Sequence, residues 1–195
     1  MTTDEPLTAA GATPPQRRYR LFFALVPDEA TRGRLHQAAV QLQAQHAPRG
    51  RWIDPRRYHL TLQFLGDFDG PPTAVATQAR HAALRVRVAP FSLVLDRAGS
   101  FHNRAIPWWL GPAAEVTGLS TLWRGLGLEL AQAGVRVPDA HGFRPHVTVL
   151  RDARTSLPET IIEPVTWRVE SFHLMQSALG ASSAYSALGT WPLVG

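Results

Sequence analysis

An α+β fold of two related lobes, with mostly antiparallel sheets, helices on the outside and a central cleft, is what this chain of 195 residues predicts. Two observations carry that expectation. The tetrapeptide His-aliphatic-Thr-aliphatic occurs twice, as His59-Leu60-Thr61-Leu62 and as His146-Val147-Thr148-Val149. Each copy also ends the same order of elements, strand then helix then motif strand. One motif strand per half implies two lobes whose open sheet faces enclose a common space.

The elements follow in order. Residues 1–17 mix Thr, Ala, Gly and Pro without periodicity and are expected to be a disordered tail, leaving 18–195 as a single bilobal domain. Tyr19–Val26 is a compact apolar run, a buried strand stopped by Pro27. Asp28 is placed to cap a helix whose stripe is Leu35, Ala38, Ala39 and Leu42, ended by Pro48-Arg49-Gly50. From His59 to Phe64 simple alternation puts His59, Thr61 and Gln63 on one face and Leu60, Leu62 and Phe64 on the other. Gly66-Asp67 is expected to close that strand.

A second helix is predicted over Pro72–Val86, with Val75, Ala79, Ala82 and Val86 on one side. Strands return at Phe91–Leu95 and Ile106–Leu110. Val116, Leu119, Trp123, Leu126 and Leu130 recur at helical spacing within Ala113–Ala133, before Gly134. The second motif strand sets His146, Thr148 and Leu150 against Val147 and Val149, with Arg151 at its end. Strands near Trp167–Met175 and Ala184–Leu188 complete the chain.

Composition narrows the chemistry. There is no cysteine, which excludes disulfides, thiolate metal sites and a Cys nucleophile, and agrees with a reducing cytoplasm. No apolar run is long enough to span a membrane, and the first residues lack the apolar core of a signal peptide. All 20 basic residues are Arg, against 15 acidic ones, giving a net charge of +5. Arg grips phosphate with a planar fork, so the balance suits an RNA or nucleotide substrate. A genome-wide preference for Arg codons would give the same composition, since the arginines are scattered.

The paired motifs suit a specific reaction. Opening a ribose 2′,3′-cyclic phosphate needs a base for the attacking water and an acid for the departing oxygen, on opposite sides of the phosphorus. Two imidazoles from facing strands meet that need near neutral pH. Thr61 and Thr148 are placed to hydrogen-bond phosphate oxygens, and Arg151 adds positive charge where negative charge accumulates. His36, His46, His81, His102, His141 and His173 lack this context and are assigned no role. Neither His-x-His nor His-Glu-x-x-His occurs, and no acidic cluster flanks either motif, so no metal site is expected. A Gly-rich phosphate loop and a dinucleotide fingerprint are also absent, and no cofactor is expected.

Around the motifs the chain resembles the two-histidine phosphoesterase superfamily, and within it the bacterial RNA 2′,3′-cyclic phosphodiesterases, also described as 2′-5′ RNA ligases. The matching segments are Arg20–Leu25, Tyr58–Gly66, Trp109-Leu110-Gly111, Phe143–Asp152 with its trailing Arg151, and Ser177 through Tyr185 to Trp191-Pro192-Leu193. The resemblance implies a pseudo-twofold axis relating the lobes and metal-independent hydrolysis to a 2′-phosphomonoester. By position it implies His59 as proton donor and His146 as proton acceptor. The expected partners are RNA ends or nucleotides bearing a 2′,3′-cyclic phosphate, among them tRNA halves that the reverse reaction would join through a 2′-5′ linkage. The protein is expected to act as a cytoplasmic monomer away from membranes. The alternative is a non-catalytic protein that binds RNA ends in the same cleft.

Overall fold

A computed structural model describes residues 17–102, 104–138, 142–180 and 185–195. The proposed tail therefore lies outside the described residues except for Arg17, as do His141 and the first residue of the strand expected at Ala184–Leu188. The described elements are β1 (Arg18–Leu25), α1 (Glu29–His46), β2 (Arg51–Trp52), β3 (Leu60–Asp69), α2 (Thr73–Ala83), β4 (Phe91–Ser100) and β5 (Ile106–Gly111). After them come α3 (Thr117–Gln132), β6 (Val147–Ala153), β7 (Thr160–Val169), β8 (Ser171–Ala178) and β9 (Tyr185–Pro192). A short 3₁₀ turn, Pro55–Arg57, precedes the first motif.

Every strand pair is antiparallel, in the order β7-β4-β5-β6-β3-β1-β8-β9, with β2 added to β6. The expected two sheets are thus joined into one hydrogen-bonded path. The junction is slight, because β3 and β6 pair through Leu60 and Val147 alone. These are the residues that follow His59 and His146. Antiparallel pairing thus sets equivalent positions of the two tetrapeptides side by side, with their chains running in opposite directions. Both residues are fully buried, so the seam is anchored by apolar contact as well as by the backbone.

The helices form as their stripes dictate. The Asp28 carboxylate accepts from the Thr31 backbone N–H at 2.7 Å, and Leu35, Ala38, Ala39 and Leu42 are buried. Helix α1 packs against β7, while α2 and α3 pack on each other and α3 on β3 and β4. Leu119, Leu122, Leu126 and Leu130 of α3 join the single large core that runs beneath both lobes. Helix α3 starts at Thr117 rather than Ala113, and the stretch expected as one strand over Trp167–Met175 is two strands broken at Glu170.

The motif strands depart from simple alternation in the same way. Across β1–β3, Phe23 pairs with Gln63 and Ala24 with Thr61, so Leu62 is an extra residue. Across β5–β6, Trp108 pairs with Leu150 and Trp109 with Thr148, so Val149 is extra. Each is a bulge at the third residue after the histidine, and each buries two consecutive residues: Leu62 and Gln63 in one strand, Val149 and Leu150 in the other. The expected facing is corrected accordingly. Gln63 turns into the interior, where its amide donates to the Trp123 carbonyl at 2.9 Å, and Leu150 is fully buried. Phe64 and Arg151, both five residues after their histidines, swing onto the His–Thr face instead.

Strand β3 also runs on through Gly66 and Asp67 to Asp69. Gly66 takes a φ of 136° that a side chain would resist, which lets the strand continue rather than end. Glycine matters again at Gly50, where a Cβ would lie 2.9 Å from the Arg151 carbonyl oxygen. That close approach brings β2 onto β6, pairing Arg51 with Arg151 and Trp52 with Leu150.

Candidate active site

At the seam between the lobes lies a cleft of ≈ 280 Å³, lined by Arg20, Phe22, His59, Thr61, Phe64, His146, Arg151 and Tyr185. Four of the five expected residues, His59, Thr61, His146 and Arg151, meet there. Thr148 does not line the cavity; it is half-buried on β6, opposite Trp109.

The histidines are held alike. The His59 Nδ1–H donates to the Arg57 carbonyl at 2.8 Å, and the His146 Nδ1–H donates to the Arg144 carbonyl at 2.7 Å. A carbonyl oxygen can only accept, so in each neutral ring Nδ1 carries the proton and Nε2 keeps its lone pair. The first bond rests on the 3₁₀ turn, which Asp54 caps by accepting from the Arg56 backbone N–H at 2.9 Å. Two rings, each fixed in the tautomer that leaves Nε2 free, form a pair in which one can take a proton while the other gives one.

Aromatic walls set the electrostatics. His59 sits between Phe22 and Tyr185, with ring centroids 5.1 Å from each, and His146 meets Phe101 edge-on at 4.8 Å. Burial disfavours the imidazolium and holds His59 down at about 4, with the charges of Arg151, His146 and Arg57 pushing the same way and the Arg57 carbonyl opposing them. Burial also lowers His146, again against its carbonyl bond. Both rings are therefore neutral at pH 7 in the unliganded cleft. A bound phosphate would favour the charged form of either ring.

A stability effect follows from the low value of His59. Between about 4 and the ordinary 6.5 the unfolded chain binds a proton that the folded chain does not, so stability falls as pH is lowered through that window. His59→Gln removes this proton. Its loss of stability between pH 7 and pH 5 should be smaller than the wild type's by up to about 2 kcal/mol. Thermal unfolding at the two pH values checks this, and equal losses in both proteins would refute it.

Four contributors to the cleft escaped the sequence reading: Phe64, which alternation had placed on the other face, and Arg20, Phe22 and Tyr185. Arg20 is fixed by a bidentate pair with Asp67, at 2.8 and 2.9 Å, and lies over the Phe64 ring at 5.4 Å. It thereby supplies a cation on the side where the first motif has Phe64 in place of Arg151. Phe22 and Tyr185 come from β1 and β9. Alternation along Arg18, Arg20, Phe22 and Ala24 would have marked Arg20 and Phe22 as sharing a face. Nothing local marks Tyr185. Among the described residues no group of three or more His, Asp or Glu side chains could hold a metal ion, and no helix is long and apolar enough to cross a membrane.

The chain is similar to known proteins in sequence and in fold. The family model described as LigT like Phosphoesterase matches residues 25–109, which include the first motif. The RNA 2′,3′-cyclic phosphodiesterase of Thermus thermophilus is 35% identical over 173 residues, covering 82% of this chain and 82% of that protein. The Escherichia coli RNA 2′,3′-cyclic phosphodiesterase is 31% identical over 181 residues, covering 89% of this chain and 96% of its own. The crystal structure of E. coli LigT complexed with 3′-AMP superposes with a TM-score of 0.74 at 29% identity, covering 91% of this chain and 99% of that one.

Proposed function

The chain belongs to the LigT-like phosphoesterase family, and from that membership we propose that it hydrolyses the 2′,3′-cyclic phosphate of RNA ends or nucleotides to a 2′-phosphomonoester. The observation that carries the reading is the pair of imidazoles at one seam, both with Nδ1 tied to a carbonyl and Nε2 left for proton transfer.

In this reading the cyclic phosphate lies between the two rings. His146 Nε2 takes a proton from water as its oxygen attacks phosphorus. The bond from phosphorus to O3′ breaks on the far side, and His59 Nε2 delivers a proton to that oxygen. His59 ends neutral and His146 charged, and exchange with solvent restores both. Because His59 is neutral in the empty cleft, it must take up a proton from solvent as the anionic substrate binds, the substrate's charge offsetting Arg151 and Arg57. Thr61 donates to a phosphate oxygen from β3, and Thr148 holds the equivalent position on β6. Arg151 and Arg20 face the charge that builds on phosphorus in the transition state.

The same reading takes residues 18–195 as one domain that works as a cytoplasmic monomer without metal or cofactor. Joining RNA ends, tRNA halves among them, through a 2′-5′ linkage is the reverse of the same steps. The test is product analysis on a nucleoside 2′,3′-cyclic phosphate with excess chelator. Turnover to the 2′-phosphate should persist. Activity that vanishes with chelator and returns with a divalent cation, or a 3′-phosphate product, would overturn the mechanism.

A further inference from the structure

Beside the catalytic cleft lies a smaller chamber of ≈ 130 Å³, walled in part by Arg20, Arg51, Trp52, Arg57, Arg151 and Tyr185. It shares Arg20, Arg151 and Tyr185 with the cleft, so the two spaces adjoin. Its charge is out of balance. Arg20 is matched by Asp67, and Arg51 by Asp152 at 3.2 Å. Arg57 and Arg151 make no ion pair with any described carboxylate, which leaves two positive charges. A cyclic phosphodiester carries a single negative charge, so one cation is still unanswered once the substrate is bound.

With Arg151 answered by the cyclic phosphate, Arg57 is the cation that faces the chamber without an anion. Its guanidinium lies 4.7 Å over the Tyr185 ring and donates to the Tyr185 hydroxyl at 3.2 Å. Its Nε–H is buried and has no hydrogen-bond partner among the described residues. A buried donor of a charged group left unpaired is costly, so the Arg57 cation stands at the chamber incompletely compensated, and an anion bound there would offset its charge.

We infer that this chamber is a second phosphate subsite, which takes the phosphate on the 5′ side of the terminal ribose. The inference rests on the functional reading above, because it treats the cleft as the site of the cyclic phosphate. A 2′,3′-cyclic phosphate occupies the 3′ end of a strand, so the nearest other phosphate is the one at O5′ of the same nucleoside. Arg57 and Arg51 meet it, while Trp52 closes one wall. The enzyme then distinguishes the end of an RNA chain from a bare nucleoside cyclic phosphate, and Arg57 and Arg51 determine that preference.

The test compares kcat/KM at fixed ionic strength for a nucleoside 2′,3′-cyclic phosphate, its 5′-phosphorylated form, and a dinucleotide ending in the same cyclic phosphate. Wild type should favour a substrate with the extra phosphate by about tenfold or more. In Arg57→Gln and Arg51→Gln that ratio should fall towards one. The ratio is read within each variant, so a general loss of activity cancels. A gain for both phosphorylated substrates assigns the chamber to the RNA backbone, and a gain for the 5′-phosphorylated mononucleotide alone assigns it to a free 5′-phosphate. Equal kcat/KM for all three, or a preference that survives both substitutions, overturns the subsite.

A calorimetric arm does not need turnover: adenosine 2′,5′-bisphosphate should bind wild type more tightly than adenosine 2′-phosphate, with the difference lost in Arg57→Gln. If no cyclic phosphate is turned over but this difference holds, the functional reading fails and the subsite stands. Equal affinity for the two nucleotides overturns the subsite.

Discussion

Replacing His146 by alanine is expected to lower kcat for a nucleoside 2′,3′-cyclic phosphate by about 10²–10⁴-fold, the usual contribution of a positioned general base or acid. His59→Ala should cost a similar factor. Neither change should unfold the protein, because both rings are only partly buried and stand at the cleft rather than in the main core. Steady-state kinetics with a thermal-unfolding control checks both points.

The two variants should differ on a substrate whose leaving group needs no proton. With an aryl phosphodiester that expels p-nitrophenolate, the donor becomes dispensable while the base does not. His59→Ala should then keep most of the wild-type rate, and His146→Ala should stay impaired. The opposite pattern would exchange the roles. Full activity of either variant on the cyclic phosphate would remove the two-histidine mechanism altogether.

Arg151→Ala is the second large effect, about 10²–10³-fold in kcat, comparable to removing one donor that stabilises an oxyanion in a water-poor site. The bulge at Val149 is what brings Arg151 to the cleft, and no described carboxylate competes for it. The substitution should also move a pH profile. The Arg151 charge helps to hold His59 at about 4, so its removal should raise His59 and shift the alkaline limb of kcat/KM upward. Arg151→Lys keeps a charge but loses the planar fork, and should recover the pH position better than the rate. An unchanged limb in Arg151→Ala would mean that the two groups do not sense each other. Phe64→Ala, at the matching position of the first motif, should cost far less, because the cation on that side is Arg20, fixed by Asp67.

Much of this architecture was legible in the chain. Leu35, Ala38, Ala39 and Leu42 marked the buried face of α1, and Leu119, Leu126 and Leu130 that of α3, because a helix repeats its contacts every few residues. The motif strands were legible up to the threonines and no further. Period-two reasoning assumes an unbroken ladder, and a bulge cannot be seen from one strand. Its existence depends on how many residues the neighbour offers between the same two hydrogen bonds. Gln63, Phe64, Leu150 and Arg151 all lie beyond the bulge and so were the residues whose facing was open to error.

By itself, then, the sequence determined the α+β class, the helix faces, the two His–Thr pairs and the arginine that trails the second. These depend on interactions a few residues apart, which leave their period in the chain. Tertiary structure alone decided that Leu60 meets Val147, that Arg20 answers for Phe64, and that Tyr185 and Phe101 pack against imidazoles whose burial disfavours their charged form. Those contacts join residues tens of positions apart. Their geometry comes from strand register and lobe packing, which no local pattern of residues encodes.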